Sequence, residues 1–191
     1  FQKLGVEIDV AKEAKRVTIK GVGLKGLKEY KNILDVGNSG TSIRLVSGVL
    51  AGQSFDTKIT GDESIQKRPM RRIIGPLELM GAKVDGQKIE GKSDVYPPLT
   101  VKGCNPLRGI NYVLPVASAQ VKSAILFASL FSNRKTFIEE PEKCRNHSER
   151  FLKRYGANIE ITGNLISCSG KKALSNPSSE KSERFVVVLV F

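Results

Sequence analysis

The sequence predicts an α/β fold assembled from repeated units in the order strand, helix, strand, helix, strand, strand. Three observations carry this. An apolar helix end, a glycine and a strand-like run recur in "FQKLGVEIDV", "LELMGAKVDG" and "FLKRYGANIEI", with Gly5, Gly81 and Gly156 spaced 76 and 75 residues apart. The helix-like stretches "NSGTSIRLVSGVLA" and "VASAQVKSAILFAS" precede the second and third of these glycines in the same way, pairing Arg44 with Lys122. A β-like run followed by an arginine-bearing helix start recurs in "TKITGDESIQKRPM" and "TFIEEPEKCRNHSE". This predicts one lobe over residues 1–170, with two complete units at about 33–104 and 109–169 and a partial one at 1–27. Something is expected to precede Phe1.

The elements follow in order. A helix is predicted from Thr41 to Ala51, with Ile43, Val46 and Leu50 at helical spacing and Gly52 as the stop. "TKIT" then reads as a strand. Pro69 stands where a first-turn proline is tolerated, so a helix is expected to begin near it and to be kinked or divided at Pro76. "YPPLTVKG" reads as a strand from its β-branched content. From Val121 to Phe131 apolar residues occupy almost every side of a helix, the pattern of a buried one, yet Ser118, Gln120 and Lys122 stand at its entrance. Asn146 and Glu149 have the spacing of a capping box for a helix ending at Gly156, and "ANIEI" is a strand. Beyond Gly170, "KKALSNPSSEKSER" reads as a linker and "FVVVLVF" as a short hydrophobic tail outside the repeat.

Composition narrows the function classes. Residues 1–191 are 40% hydrophobic, enough for a sizeable core, and 31 Lys+Arg against 19 Asp+Glu give +12, which favours anionic partners: nucleic acid, phosphorylated metabolites or membrane surfaces. No apolar run reaches a membrane span of roughly 20 residues, and the start does not resemble a signal peptide, so a soluble chain is expected. Three cysteines without a CxxC pair suggest neither a disulfide framework nor a zinc site, and read as reduced cytoplasmic thiols.

Two segments could hold an anion. "DVGNSGTSIRL" sets two glycines and small polar residues before a helix, where free N–H groups and the helix dipole favour negative charge and Arg44 lies one turn in. Gly40 would let a ligand approach the backbone. An ordinary capped turn would read the same way. "GDESIQKRPMRRI" carries Lys67, Arg68, Arg71 and Arg72; the last two read as a solvated face, while Arg68 before the proline is placed to meet a phosphate or carboxylate. His147, the only histidine, reads as structural, and no metal-ligand cluster, nucleophile elbow or Walker motif is present. Equivalent helix starts at 38–44 and 118–122 would face a shared surface, making Ser118 and Gln120 ligand donors at the exposed end of a buried helix.

Together "DVGNSGTSIRL", "GDESIQKRPM", "LPVASAQVKSAILFASL" and "EPEKCRNHSERFLKRYGANI" resemble 5-enolpyruvylshikimate-3-phosphate synthase, the 3-phosphoshikimate 1-carboxyvinyltransferase family, over about Phe1 to Gly170. The variant "SAQVKS" is similar to its class II branch. The resemblance implies transfer of the enolpyruvyl group of phosphoenolpyruvate to the 5-hydroxyl of shikimate 3-phosphate, with no metal or organic cofactor. It implies a two-lobed fold of βαβαββ units with inward-facing helices whose N-termini meet the cleft between lobes. By motif, Ser118, Gln120 and Arg145 resemble the shikimate 3-phosphate contacts, and Asn38, Gly40, Arg68 and again Gln120 the phosphoenolpyruvate side. The family's catalytic lysine segment is expected before Phe1 and its second lobe after Gly170, so no catalytic residue is assigned here and this chain alone is expected to be inactive. "CRNHSE" has Cys144 and Asn146 where the family often has Ser or Thr and Asp. The alternatives are a UDP-N-acetylglucosamine enolpyruvyltransferase-like lobe, which "RPM" and "SAQVKS" fit less well, and a basic nucleic-acid-binding module, disfavoured by 6% aromatics and no recognisable motif.

Overall fold

A computed structural model describes residues 1–13, 16–170 and 174; the linker and hydrophobic tail expected at 171–191 otherwise lie outside the described residues. A 3-10 turn, Gln2–Leu4, enters the antiparallel hairpin of β1 (Glu7–Ala11) and β2 (Arg16–Lys20). Next come β3 (Leu34–Asp35), α1 (Gly40–Ala51), β4 (Asp56–Thr60), α2 (Glu63–Gln66), α3 (Arg71–Leu79), β5 (Lys83–Lys88) and β6 (Val95–Lys102). The last group is β7 (Asn111–Val113), α4 (Ala119–Ser129), β8 (Thr136–Glu139), α5 (His147–Arg154), β9 (Asn158–Thr162) and β10 (Leu165–Ser169).

Two four-stranded sheets, ordered β3-β4-β6-β5 and β7-β8-β10-β9, share one topology. In each the first strand runs parallel to the second, and the remaining neighbours are antiparallel. Parallel neighbours put their carboxyl ends on the same side of a sheet, and the loops leaving those ends are where ligands are met in such folds. Those loops lead from β3 into α1 and from β4 into α2, and likewise from β7 into α4 and from β8 into α5.

The glycine repeat has a common physical basis. Gly5, Gly81 and Gly156 have φ of 85, 104 and 85°, each in the left-handed region just past a helix end. In all three places the glycine N–H bonds back three residues and the next N–H bonds back five, as in Gly81 to Glu78 with Ala82 to Leu77, and Gly156 to Lys153 with Ala157 to Leu152. This double bond pattern closes the orphan carbonyls of a helix end and needs a residue that tolerates positive φ.

Helices α1 and α4 pack against each other in the interior. A side chain at Gly48 would run into the Ala124 backbone, so only glycine lets the two axes approach this closely. Ile43, Leu50, Val121, Ala124, Ile125, Leu126 and Ala128 are buried around this contact. As expected from its apolar circumference, α4 is a core helix.

Several local expectations are corrected. The helix expected near Pro69 is α3, which begins at Arg71 after the separate short α2. That proline separates α2 from α3, because Asp94, at the head of β6, takes the Met70 and Arg71 N–H groups on Oδ1 at 3.1 and 2.9 Å and caps α3 from across the fold. Pro76 lies inside α3 without dividing it; the helix is short, and the buried ring offsets the one backbone bond it cannot donate. The first interior helix starts at Gly40, one residue earlier than expected, under a Ser39 cap. Asn146 precedes α5 but makes no side-chain cap, since Glu149 turns inward instead of back to the helix start. Finally, the caps Ser39 and Ser118 align Lys122 with the buried Ile43 and not with Arg44.

Candidate anion site at the strand ends

The site is built on the loops that leave β3 and β4. Ser39 caps α1 by accepting from the Ser42 N–H at 3.1 Å, which leaves Gly40 as the first helical residue. A Cβ at Gly40 would come within 2.6 Å of Arg68 Nη1 and 3.0 Å of Arg44 Nη1. Two guanidinium groups therefore converge on the helix N-terminus at the one residue without a side chain. Arg44 donates from Nη1 to the Gly40 carbonyl at 3.0 Å and to Gln120 Oε1 at 2.9 Å. Gln120 donates from Nε2 to Thr41 Oγ1 at 2.8 Å, so its amide ties the start of α4 to the start of α1.

Asn38 is exposed and donates to Asp62 Oδ2 at 2.7 Å. Asp62 caps α2 through Oδ1 to the Ile65 N–H at 3.0 Å. This backbone bond, the Asn38 and Ser64 contacts and the nearby Arg68 hold its carboxyl below the usual range, against a smaller opposing effect of burial. Burial, then the proximity of Arg68 and Arg72, holds the Arg44 guanidinium below the usual arginine range. Among the described residues none of Arg44, Arg68 and Arg72 forms an ion pair. Three like charges gathered at a helix N-terminus, with Asp62 nearby but no carboxylate at ion-pair distance among the described residues, leave a net positive field.

Ser118 caps α4, its Oγ accepting from the Val121 N–H at 3.4 Å, while the hydroxyl hydrogen stays free to donate. It also borders a cavity of about 130 Å³ with Arg72, Tyr112 and Val116 among its walls. Arg72 is thus exposed, as expected, but it is not a bystander on a solvated face: it looks onto the Ser118 cavity and lowers Arg44. Arg145 is exposed in the loop after β8, beside the loop that carries Ser118. No hydrogen bond joins it to Ser118 or Gln120 among the described residues. The structure accordingly gathers Asn38, Gly40, Arg68 and Gln120 directly, and Ser118 and Arg145 by loop adjacency. Sequence reading missed Thr41, whose spacing from Gln120 matches the repeat, and Tyr112, which no motif marks. His147 is exposed at the start of α5.

A sequence model of the family EPSP synthase (3-phosphoshikimate 1-carboxyvinyltransferase) matches residues 1–183. The chain belongs to the EPSP synthase family. The 3-phosphoshikimate 1-carboxyvinyltransferase of Thermodesulfovibrio yellowstonii is 50% identical over 169 residues, covering 88% of this chain and 38% of its own length. That of Pelotomaculum thermopropionicum is 45% identical over 193 residues, covering 98% of this chain and 43% of its own. The solved EPSP synthase of Acinetobacter baumannii superposes with a TM-score of 0.86 at 46% identity, over 92% of this chain and 38% of that one. The chain therefore spans about two fifths of the length of these EPSP synthase relatives. The family match runs past Gly170. These names favour the shikimate enzyme over the UDP-N-acetylglucosamine and nucleic-acid alternatives.

Proposed function

We propose that this chain supplies one lobe of a 3-phosphoshikimate 1-carboxyvinyltransferase, which moves the enolpyruvyl group of phosphoenolpyruvate to the 5-hydroxyl of shikimate 3-phosphate with release of phosphate. The observation that carries the reading is the convergence of Arg44 and Arg68 on the α1 N-terminus at Gly40, with no carboxylate partner among the described residues. A phosphate or carboxylate seated there would meet backbone N–H groups and two planar guanidinium forks, the chemistry phosphoenolpyruvate offers. Asn38 and Gln120 border the same place and fix it to Asp62 and Arg44.

Shikimate 3-phosphate fits the neighbouring loops in this reading, with the Ser118 hydroxyl and Arg145 as donors and the cavity beside Tyr112 and Val116 receiving the ring. The further partner is a second lobe that closes the site from the opposite side. Because the chain corresponds to about two fifths of its relatives, turnover is assigned to the whole enzyme and ligand binding to this chain. Operation in the cytoplasm belongs to the same reading; among the described residues no helix is long and apolar enough to cross a membrane.

The test is an NMR titration of the labelled chain with each ligand in turn. Phosphoenolpyruvate should shift amides at Asn38, Gly40, Thr41 and Gln120, and shikimate 3-phosphate those at Ser118 and Arg145, while phosphate release from the two together stays at background. Turnover by the chain alone, or responses scattered over the surface, would contradict the reading.

A further inference from the structure

Among the described residues Lys122 is the largest fully buried side chain, on the first turn of α4 two residues beyond Gln120. Its Nζ lies 2.6 Å from Glu149 Oε1 on α5 and 2.9 Å from Glu140 Oε1, directly after β8, and both carboxylates are buried as well. Glu140 Oε1 also accepts the Cys144 N–H at 3.3 Å and the Cys144 thiol. Ser123 and Ser148 share a hydrogen bond of 2.6 Å alongside. The loop that carries Arg145 is therefore fastened at both ends to one ammonium group: at Glu140 where it leaves the sheet, and at Glu149 where it has become helix.

Stability alone accounts poorly for this arrangement. Burying one ammonium with two carboxylates is costly to desolvate, and a buried ionic cluster is often matched or bettered by apolar residues of similar volume. Here, moreover, Glu149 Oε2 is buried without a hydrogen-bond partner among the described residues. At the equivalent place in the preceding unit stands Ile43, which fills the core without charge. What the ionic version adds is direction, because it fixes where Glu140, Cys144 and hence the exposed Arg145 stand relative to the α4 start that bears Ser118 and Gln120.

We infer that Lys122, Glu140 and Glu149 form a positioning triad that holds Arg145 over the α4 N-terminus, with the Cys144 N–H and thiol as its link to the loop. The inference deepens the proposed function and rests on it for the identity of the ligand. Lys122 touches no substrate; it acts through Arg145, and its loss should be felt only where Arg145 is used.

A double-mutant cycle in the full chain tests this. Lys122→Met and Arg145→Ala should each weaken shikimate 3-phosphate binding about tenfold, and the double variant should bind no worse than Arg145→Ala alone, since the two act through one contact. Multiplying losses, or an unchanged affinity in Lys122→Met, would overturn the inference. A ligand-free arm separates this from the proposed function. The Cys144 amide, which donates to Glu140 Oε1, should exchange at least tenfold faster in Lys122→Met while β4 and β6 amides keep their rates; an unchanged Cys144 rate would also overturn the inference. If the unaltered chain does not bind shikimate 3-phosphate, the ligand assignment fails and this second arm alone decides the positioning. Should Lys122→Met not fold, Glu149→Gln, which keeps the shape and removes one charge, carries both readouts.

Discussion

Gln120 on α4 accepts a hydrogen bond from Arg44 on α1 at 2.9 Å and returns one to Thr41 at 2.8 Å, so a single amide joins two helix starts that lie far apart in sequence. The bond holds Arg44 in place without neutralising it. A carboxylate there would do the opposite. Gln120→Glu should therefore pair with Arg44, fill the cationic cluster from within and weaken phosphoenolpyruvate binding more than Gln120→Ala does. Titration calorimetry on the two variants checks the order.

Gly40 is predicted to be intolerant for a reason specific to binding. A methyl group at this position would press chiefly on Arg68 Nη1, the far end of a flexible side chain that can yield, and only lightly on Arg44 Nη1. Gly40→Ala should thus leave the melting temperature nearly unchanged yet cost phosphoenolpyruvate about one charge-assisted hydrogen bond, roughly tenfold or more in affinity. Gly48→Ala should behave inversely. Its methyl meets the Ala124 backbone, which cannot yield, so unfolding in urea should show a loss of about 1–3 kcal/mol.

Asp94 offers a test of the long-range cap. Its Oδ1 gathers the N–H groups of Met70, Arg71 and Val95 at 3.1, 2.9 and 2.7 Å. Asp94→Ala should destabilise the chain by about 2 kcal/mol, the upper part of the range for a lost helix cap. Hydrogen exchange should show the loss first at Met70 and Arg71, because α3 has no side-chain cap of its own.

Asp62 sets an acid limit on the Asn38 loop. Its folded pKa lies below the ordinary carboxylate value, chiefly through the Ile65 N–H, so its contribution is complete above the unfolded value and is lost as pH falls through the folded one. The Asn38 side-chain amide signals, bonded to Asp62 Oδ2 at 2.7 Å, should stay fixed at neutral pH and move only below the usual carboxylate range. Asp62→Asn should abolish that titration. An Asn38 transition near neutral pH would contradict the assignment.

The fold was legible because its signals are local. Gly5, Gly81 and Gly156 mark helix ends that only a residue tolerant of positive φ can close, and the apolar residues on almost every side of α4 announce burial. The ionic contacts were not legible in the same way. Asn146 and Glu149 have the spacing of a capping box, but nothing local reveals that Glu149 has a buried ammonium within reach on another helix. Lys122 at the head of α4 reads as an entrance charge until the caps show it aligned with Ile43. Arg72 likewise looks solvated from helical periodicity, and its place beside Ser118 depends on Arg72 and Tyr112, distant in sequence, bordering one cavity with the α4 start. Gly40, Arg68 and Gln120 were legible from helix-start chemistry and the repeat, and Asn38 from motif likeness; the bridge through Arg44 and Thr41 was not, because it joins side chains on two helices about eighty residues apart.

The measurement that bears most directly on the cationic cluster is phosphoenolpyruvate binding to the full chain, followed by NMR in the unaltered protein, Arg68→Ala and Lys83→Ala. Lys83 is exposed on β5 and removes the same unit of charge away from the site. The account predicts saturable shifts at Asn38, Gly40, Thr41 and Gln120 with a roughly millimolar dissociation constant, weakened about tenfold in Arg68→Ala and unchanged in Lys83→Ala. Equal weakening in both variants would contradict it, because the ligand would then be answering to net charge and not to the place where Arg44 and Arg68 meet Gly40.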